Sequence, residues 1–234
     1  MTYTHVVFVG HHKERLMESI TGFRKFPIHR VTLVIGDDDS TGERISKKVA
    51  NSVRKELARL FEVSIVRVDK RDIMKAASQV VDLVEKERES GYECILNMSG
   101  SLRTFAIAAY IAGCLTQCPM LTSIPRYDEE DREVGVEEII ELPPVPVHFP
   151  KKDQAELLDA IAESSGYLED LIVGLSPEVK DMPDEFAKER SRLAHHLKKI
   201  EEMGFVTREK IGKNVMFTLS PLGKIIRKVR GGLG

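Results

Sequence analysis

Two short stretches of the chain carry the residue types from which an anion site is made. The first is Asn97-Met98-Ser99-Gly100-Ser101-Leu102-Arg103-Thr104, between the apolar run Cys94 to Leu96 and a segment with Phe105, Ile107, Ala108, Ile111 and Leu115 at helical spacing. A buried strand that breaks into a polar turn and opens a helix directs backbone N–H groups out of the turn. The positive end of the helix dipole then favours an anion. In this reading Ser101 is the N-cap, Gly100 lets a ligand approach the backbone, and Arg103 offers a guanidinium fork to a phosphate. Ser and Gly also serve plain strand-to-helix turns, but a cation in a first helical turn is disfavoured by the dipole, so Arg103 points to a nearby anion. The second stretch, Gly10-His11-His12, follows the apolar run Val6 to Val9. Its histidines can give protons to a ligand; adjacent side chains in an extended turn point apart, so no shared metal is expected.

A third set of residues is basic rather than anion-cradling. With Leu193 and Leu197 on the inner face of a helix from Asp184 to Met203, a turn of 100° per residue leaves Lys188, Ser191, Arg192, His195, Lys198 and Lys199 facing outward. Arg208, Lys210 and Lys213 lie on a hairpin built from Phe205 to Lys210 and Val215 to Leu219. Helix and hairpin together form a surface suited to double-stranded DNA, the helix in a groove and the hairpin on the backbone. Charge supports this division of labour: the whole chain has net charge -2, yet residues 186 to 234 hold 12 basic and 4 acidic residues.

The elements that must position these residues alternate. His5 to Val9, Val31 to Ile35, Val63 to Val68 and Cys94 to Leu96 read as strands. Between them lie helices carrying Leu16, Ile20 and Phe23, then Ile45, Val49, Val53, Leu57 and Leu60, then the span Asp72 to Ser90; Leu121 to Tyr127 and Val136 to Leu142 are further extended segments. Such alternation predicts an α/β fold, a mainly parallel sheet with helices on both faces. In a doubly wound order the first and fourth strands are neighbours, so the two candidate turns face each other at the switch point. The first turn lacks GxGxxG, which argues against a dinucleotide cofactor. Asp37 to Asp39 could meet magnesium or a ribose, although an acidic turn capping the next helix is the simpler reading.

Proline-dense Leu142 to Pro150 cannot continue a helix or central strand and marks a boundary. The expected division is residues 1–142, a linker at 143–150, and 151–234, with helices Asp153 to Glu163, Leu168 to Leu175 and Asp184 to Met203, the last closed by Gly204. Cys94, Cys114 and Cys118 lack paired spacing and read as buried thiols, without disulfide or zinc. Met1 is followed almost at once by the apolar run Val6 to Val9, too brief for a signal-peptide core or a membrane span, so a cytoplasmic protein is expected.

The segment ERSRLAHHLKKIEEMGFVTREKIGKNVMFTLSPLGKII resembles archaeal winged-helix regulators of the MarR or ArsR kind, from which the Gly174 to Pro183 insert departs. The first domain resembles CARF, the CRISPR-associated Rossmann fold, through NMSGSLRT with the following AIAAYIAG and through VGHHKER. Gly100-Ser101-Leu102-Arg103 stands where that family usually carries Gly-Gly-Thr-Lys or Gly-Gly-Thr-Arg. The resemblance implies a Rossmann-like sensor fused to a winged helix-turn-helix, no cofactor, and a cyclic oligoadenylate effector bound across the two-fold axis of a homodimer. A cyclic tetranucleotide has a two-fold axis of its own, so each protomer can present the same loops to half of it. The implied function is ligand-responsive transcription regulation. The alternative is a metal-independent ring nuclease, in which a ribose 2′-hydroxyl attacks phosphorus while His11, His12 or Ser99 assists.

Overall fold

In the computed structural model, which describes residues 2–145, 147–164, 166–212 and 214–229, the chain divides into two units, Met1–Val147 and His148–Gly234. The first unit runs β1 (Tyr3–Phe8), α1 (Lys13–Gly22), β2 (Ile28–Gly36), α2 (Thr41–Leu57), β3 (Glu62–Val68), α3 (Ile73–Glu89), β4 (Glu93–Asn97), α4 (Arg103–Thr116), β5 (Met120–Tyr127) and β6 (Glu133–Leu142). Its sheet has the order β3-β2-β1-β4-β5-β6. All neighbours are parallel except β5 and β6, which form an antiparallel hairpin. The central strands read as continuous apolar runs because both of their faces are covered. Val7, Val9, Val31, Leu33 and Ile35 pack against α1 and α2, whereas Phe8 turns to the other face and meets Phe105 of α4 with ring centroids 6.1 Å apart.

Helix α2 departs from its apolar pattern. Val53 and Leu57 are buried as expected, but Ile45 is 41% and Leu60 77% exposed. Leu60 lies beyond the helix, and the inner face holds Glu43, Ser46 and Ala50. The rotation follows from Glu43, whose fully buried carboxylate accepts the Gly36 N–H (2.7 Å) and the Lys70 ammonium (3.0 Å). Lys70 also reaches Asp38 at 3.0 Å, which holds that carboxyl well below its ordinary range, with Ser40 adding hydrogen bonds. Ser40 in turn accepts the Glu43 N–H as N-cap. Within the acidic run Asp38 and Asp39 are therefore held by ion pairs with Lys70 and Lys47, beside the Ser40 cap. Helix α3 begins and ends where the sequence places it, capped by Asp72 at Lys75 N–H.

The second unit runs α5 (Lys152–Glu163), α6 (Leu168–Leu175), a single 3-10 turn at Pro177–Val179, α7 (Pro183–Glu202), β7 (Val206–Ile211), β8 (Asn214–Leu219) and α8 (Pro221–Ile226). Leu157, Leu158 and Ile161 of α5 and Leu193, Leu197 and Ile200 of α7 are buried together in its core. Tyr167, just before α6, bridges antiparallel to Met216, so a third short extended segment flanks the β7–β8 hairpin. Gly204, at φ +74°, follows the last turn of α7 in the left-handed conformation that glycine adopts without strain. Of the proline-rich segment, Val145 N–H donates to Cys114 Sγ (3.3 Å) on α4. Pro146, and Lys213 of the hairpin turn, lie outside the described residues. The three cysteines are free and buried.

Candidate functional site

Strands β1 and β4 are hydrogen-bonded neighbours, Tyr3 to Val7 in register with Glu93 to Asn97. The chain leaves this pair in opposite directions across the sheet, so the turns after β1 and β4 lie side by side at the switch point. They touch. A Cβ on Gly10 would overlap the Gly100 carbonyl oxygen, and one on Gly100 would overlap the Leu16 side chain. Gly10 is therefore required by the packing of one turn on the other, and Gly100 by the packing of its turn on Leu16 of α1.

Within the motif, Asn97, Ser99 and Gly100 are buried. Asn97 is fully buried, donates its Nδ2 to Ser19 Oγ (3.1 Å) on α1 and accepts the Ser99 N–H at Oδ1 (3.0 Å). It thus ties the β4 turn to α1 and holds the turn's shape. Ser99 is also buried, and its hydroxyl has no partner among the described residues. Ser101 is not the N-cap: its N–H closes a turn onto the Met98 carbonyl (3.0 Å), and Leu102 takes the cap position, with no side-chain hydrogen bond. The helix begins one residue later than the Ser-based reading because that turn uses the serine backbone.

What faces outward is Arg103 and Thr104 in the first turn of α4, together with His11 and His12. Helices α1 and α4 both lack a side-chain cap, whereas α2 and α3 are capped by Ser40 and Asp72. Uncapped first-turn N–H groups remain available to an anion. Arg103 has no ion pair among the described residues. His11 donates to the Gly42 carbonyl (3.0 Å), and His12 lies 3.7 Å from the Glu133 carboxylate. That carboxylate is nearly buried and also lies 3.0 Å from the Arg15 guanidinium, an ion pair. The sequence reading missed Glu133, which lies far along the chain on β6 with no local signal; Arg15 sits inside the VGHHKER motif and could have been found there.

In the second unit, Lys188, Ser191, Arg192, His195, Lys198 and Lys199 all lie exposed on α7, and Arg208 and Lys210 are exposed on β7. Most of these cations are paired: Lys188 with Glu185 (2.8 Å), Arg192 with Glu189 (2.6 Å), Lys198 with Glu202 (3.9 Å) and Arg208 with Glu201 (2.9 Å). Residues 151 to 185 supply 3 basic against 10 acidic residues, and they neutralise the flanks of the basic half: Asp153 meets Arg192 and Glu169 meets Arg190. A groove of about 690 Å³ between α6, α7 and the hairpin is lined by Arg190, Lys198 and Arg208 against Glu169, Glu201 and Glu202. Lys199 and Lys210 have no ion pair among the described residues.

Strand order and switch-point crevice define a Rossmann-like α/β protein, joined to a small helical unit with a β-hairpin. The chain belongs to the family described as HFX_2341_N:-like, N-terminal, whose family model matches residues 3–127, more than half of the chain. An uncharacterized protein of Archaeoglobus fulgidus is 23% identical over 226 residues, covering 96% of both chains. Among solved structures, protein VC1899 from Vibrio cholerae matches at 13% identity and TM-score 0.42, covering 98% of this chain and 64% of that one. Enterococcus italicus Csm6 bound to cyclic hexa-2′-fluoro-hexa-dAMP matches at 14% and 0.44, covering 85% and 55%. Can2 from Sulfobacillus thermosulfidooxidans, in complex with cyclic tetra-adenylate, matches at 14% and 0.41, covering 96% and 63%. The chain spans less than two thirds of the length of each of these three. No helix among the described residues is long and apolar enough to cross a membrane.

Proposed function

We propose that the first unit senses a cyclic oligoadenylate at the touching β1 and β4 turns, that the protein does so as a homodimer, and that the second unit binds double-stranded DNA as a winged helix-turn-helix. The observation that carries the reading is the pair of uncapped helix N-termini flanked by Arg103, His11 and His12. These groups match a phosphodiester ring: N–H donors and one guanidinium for phosphate, imidazoles for phosphate or ribose oxygens. The CARF resemblance of NMSGSLRT selects the cyclic adenylate among such anions. For the second unit, the order helix, bridge, helix, helix, hairpin and the exposed residues of α7 support a recognition helix and wing.

Calorimetric titration of the full chain with cyclic tetra-adenylate tests the sensor. One molecule bound per two chains, without turnover, is the expected result; the absence of binding heat overturns the ligand. The histidines beside the crevice give the alternative its basis, and recovery of linear adenylate fragments would make the crevice a metal-independent ring nuclease instead.

A further inference from the structure

A positive surface of the first unit lies on the outer face of α2. At 100° per residue, Arg44, Lys48 and Lys55 follow one stripe opposite the buried Ala50, Val53 and Leu57, with Asn51 and Ser52 between them, and Arg59 stands in the turn that follows the helix. All four cations are exposed, and none has an ion pair among the described residues. The two carboxylates of the helix are taken by cations from elsewhere, Glu43 by Lys70 (3.0 Å) and Glu56 by Lys13 (2.8 Å). The contrast with α7, whose cations are largely matched by carboxylates, is sharp.

A bare cationic stripe is unfavourable in an isolated protein. Arg44 and Lys48 are four apart and repel, as are Lys55 and Arg59, and Arg44 in the first turn opposes the helix dipole. Only Lys55 and Arg59, near the other end, are favoured by it. From Arg44 to Lys55 the helix rises about 16 Å, the axial distance of roughly five phosphates on one strand of a duplex.

We propose that this face of α2 is a second docking surface for double-stranded DNA, gripping the phosphate backbone without reading sequence. No aromatic side chain lies on the stripe, which disfavours single strands that need stacking platforms. Ala50, Val53 and Leu57 of the helix are consumed by the core, and Ile45 and Leu60 are too few to form the apolar face that insertion into a membrane interface requires. The surface is independent of the recognition helix and wing.

The test uses the full chain and a fluorescein-labelled 24-base-pair duplex of random sequence, with anisotropy followed from 50 to 200 mM salt. A triple variant Lys48→Gln, Lys55→Gln, Arg59→Gln, all at exposed positions, should bind at least about tenfold more weakly, with the salt slope reduced by roughly 2 to 3 for three phosphate contacts. An unchanged unfolding midpoint confirms that the fold is intact. The double variant Arg208→Gln, Lys210→Gln separates this surface from the proposed wing. Loss of duplex binding in the double variant alone overturns the α2 surface and leaves the regulator reading standing; loss in neither overturns both. A triple variant that loses only a single-stranded oligonucleotide, or only vesicles rich in anionic lipid, also overturns the proposal.

Discussion

Arg103 is exposed at the positive end of α4 with no ion pair among the described residues, a placement that costs free energy unless an anion is bound. Arg103→Ala should therefore weaken cyclic tetra-adenylate binding by about 1.5–3 kcal/mol, the range for a charge-assisted contact, without lowering the unfolding midpoint. Unchanged affinity in calorimetry would remove this residue from the site. His5 on β1 makes a different prediction. Burial lowers its pKa from 6.5 to about 4, so it is neutral in the folded unit. The folded value lies below the unfolded one, so stability is present above pH 6.5 and lost as pH falls towards 4, where the unfolded chain binds the proton first. The shift corresponds to ~3 kcal/mol. Urea denaturation across this window should show wild type losing stability relative to His5→Asn, and parallel curves would contradict the assignment.

At the scale of elements, the decisive contact is between two turns. Because a Cβ on Gly10 would overlap the Gly100 carbonyl oxygen, which belongs to backbone and cannot swing away, Gly10→Ala should force the β1 and β4 turns apart. We expect a loss of about 1–3 kcal/mol in stability, the usual cost of overpacking, and a fall in nucleotide affinity larger than that of a distant surface change. Retained affinity alongside lowered stability would mean that the turns can bind a ligand separately. The sequence made the strand and helix alternation legible, because central parallel strands are apolar throughout and α3 carries its own cap in Asp72. It misled where a long-range polar group outweighed local pattern. Glu43 rotated α2 through a partner at Lys70, Ser101 spent its N–H on Met98, and Glu133 reached the crevice from β6. None of these partnerships has a periodicity, and each depends on a register fixed only once the sheet has formed.

For the whole molecule, the proposed regulation requires that the ligand state of the first unit alter the DNA binding proposed for the second. Helix α4 offers a route within the first unit: it opens at Arg103 beside the crevice, and near its far end Cys114 Sγ accepts the N–H of Val145 in the proline-rich connection. A ligand that shifts α4 along its axis would move the anchor of that connection, and proline stiffness would limit how far the motion is absorbed. DNA affinity should consequently change with saturating cyclic tetra-adenylate by a factor of roughly 5 to 150, and linkage demands that DNA change ligand affinity by the same factor. Two variants address the route. Replacing Pro143, Pro144 and Pro146 by Gly should shrink the factor by softening the connection, and Cys114→Ala should shrink it by releasing the Val145 anchor. In both, ligand affinity measured without DNA and DNA affinity measured without ligand should stay near wild type. Anisotropy at fixed salt, with and without ligand, reads all four quantities. If wild type shows the same duplex dissociation constant in both conditions, there is no coupling for α4 to carry; if coupling is present but indifferent to both variants, it travels by another path.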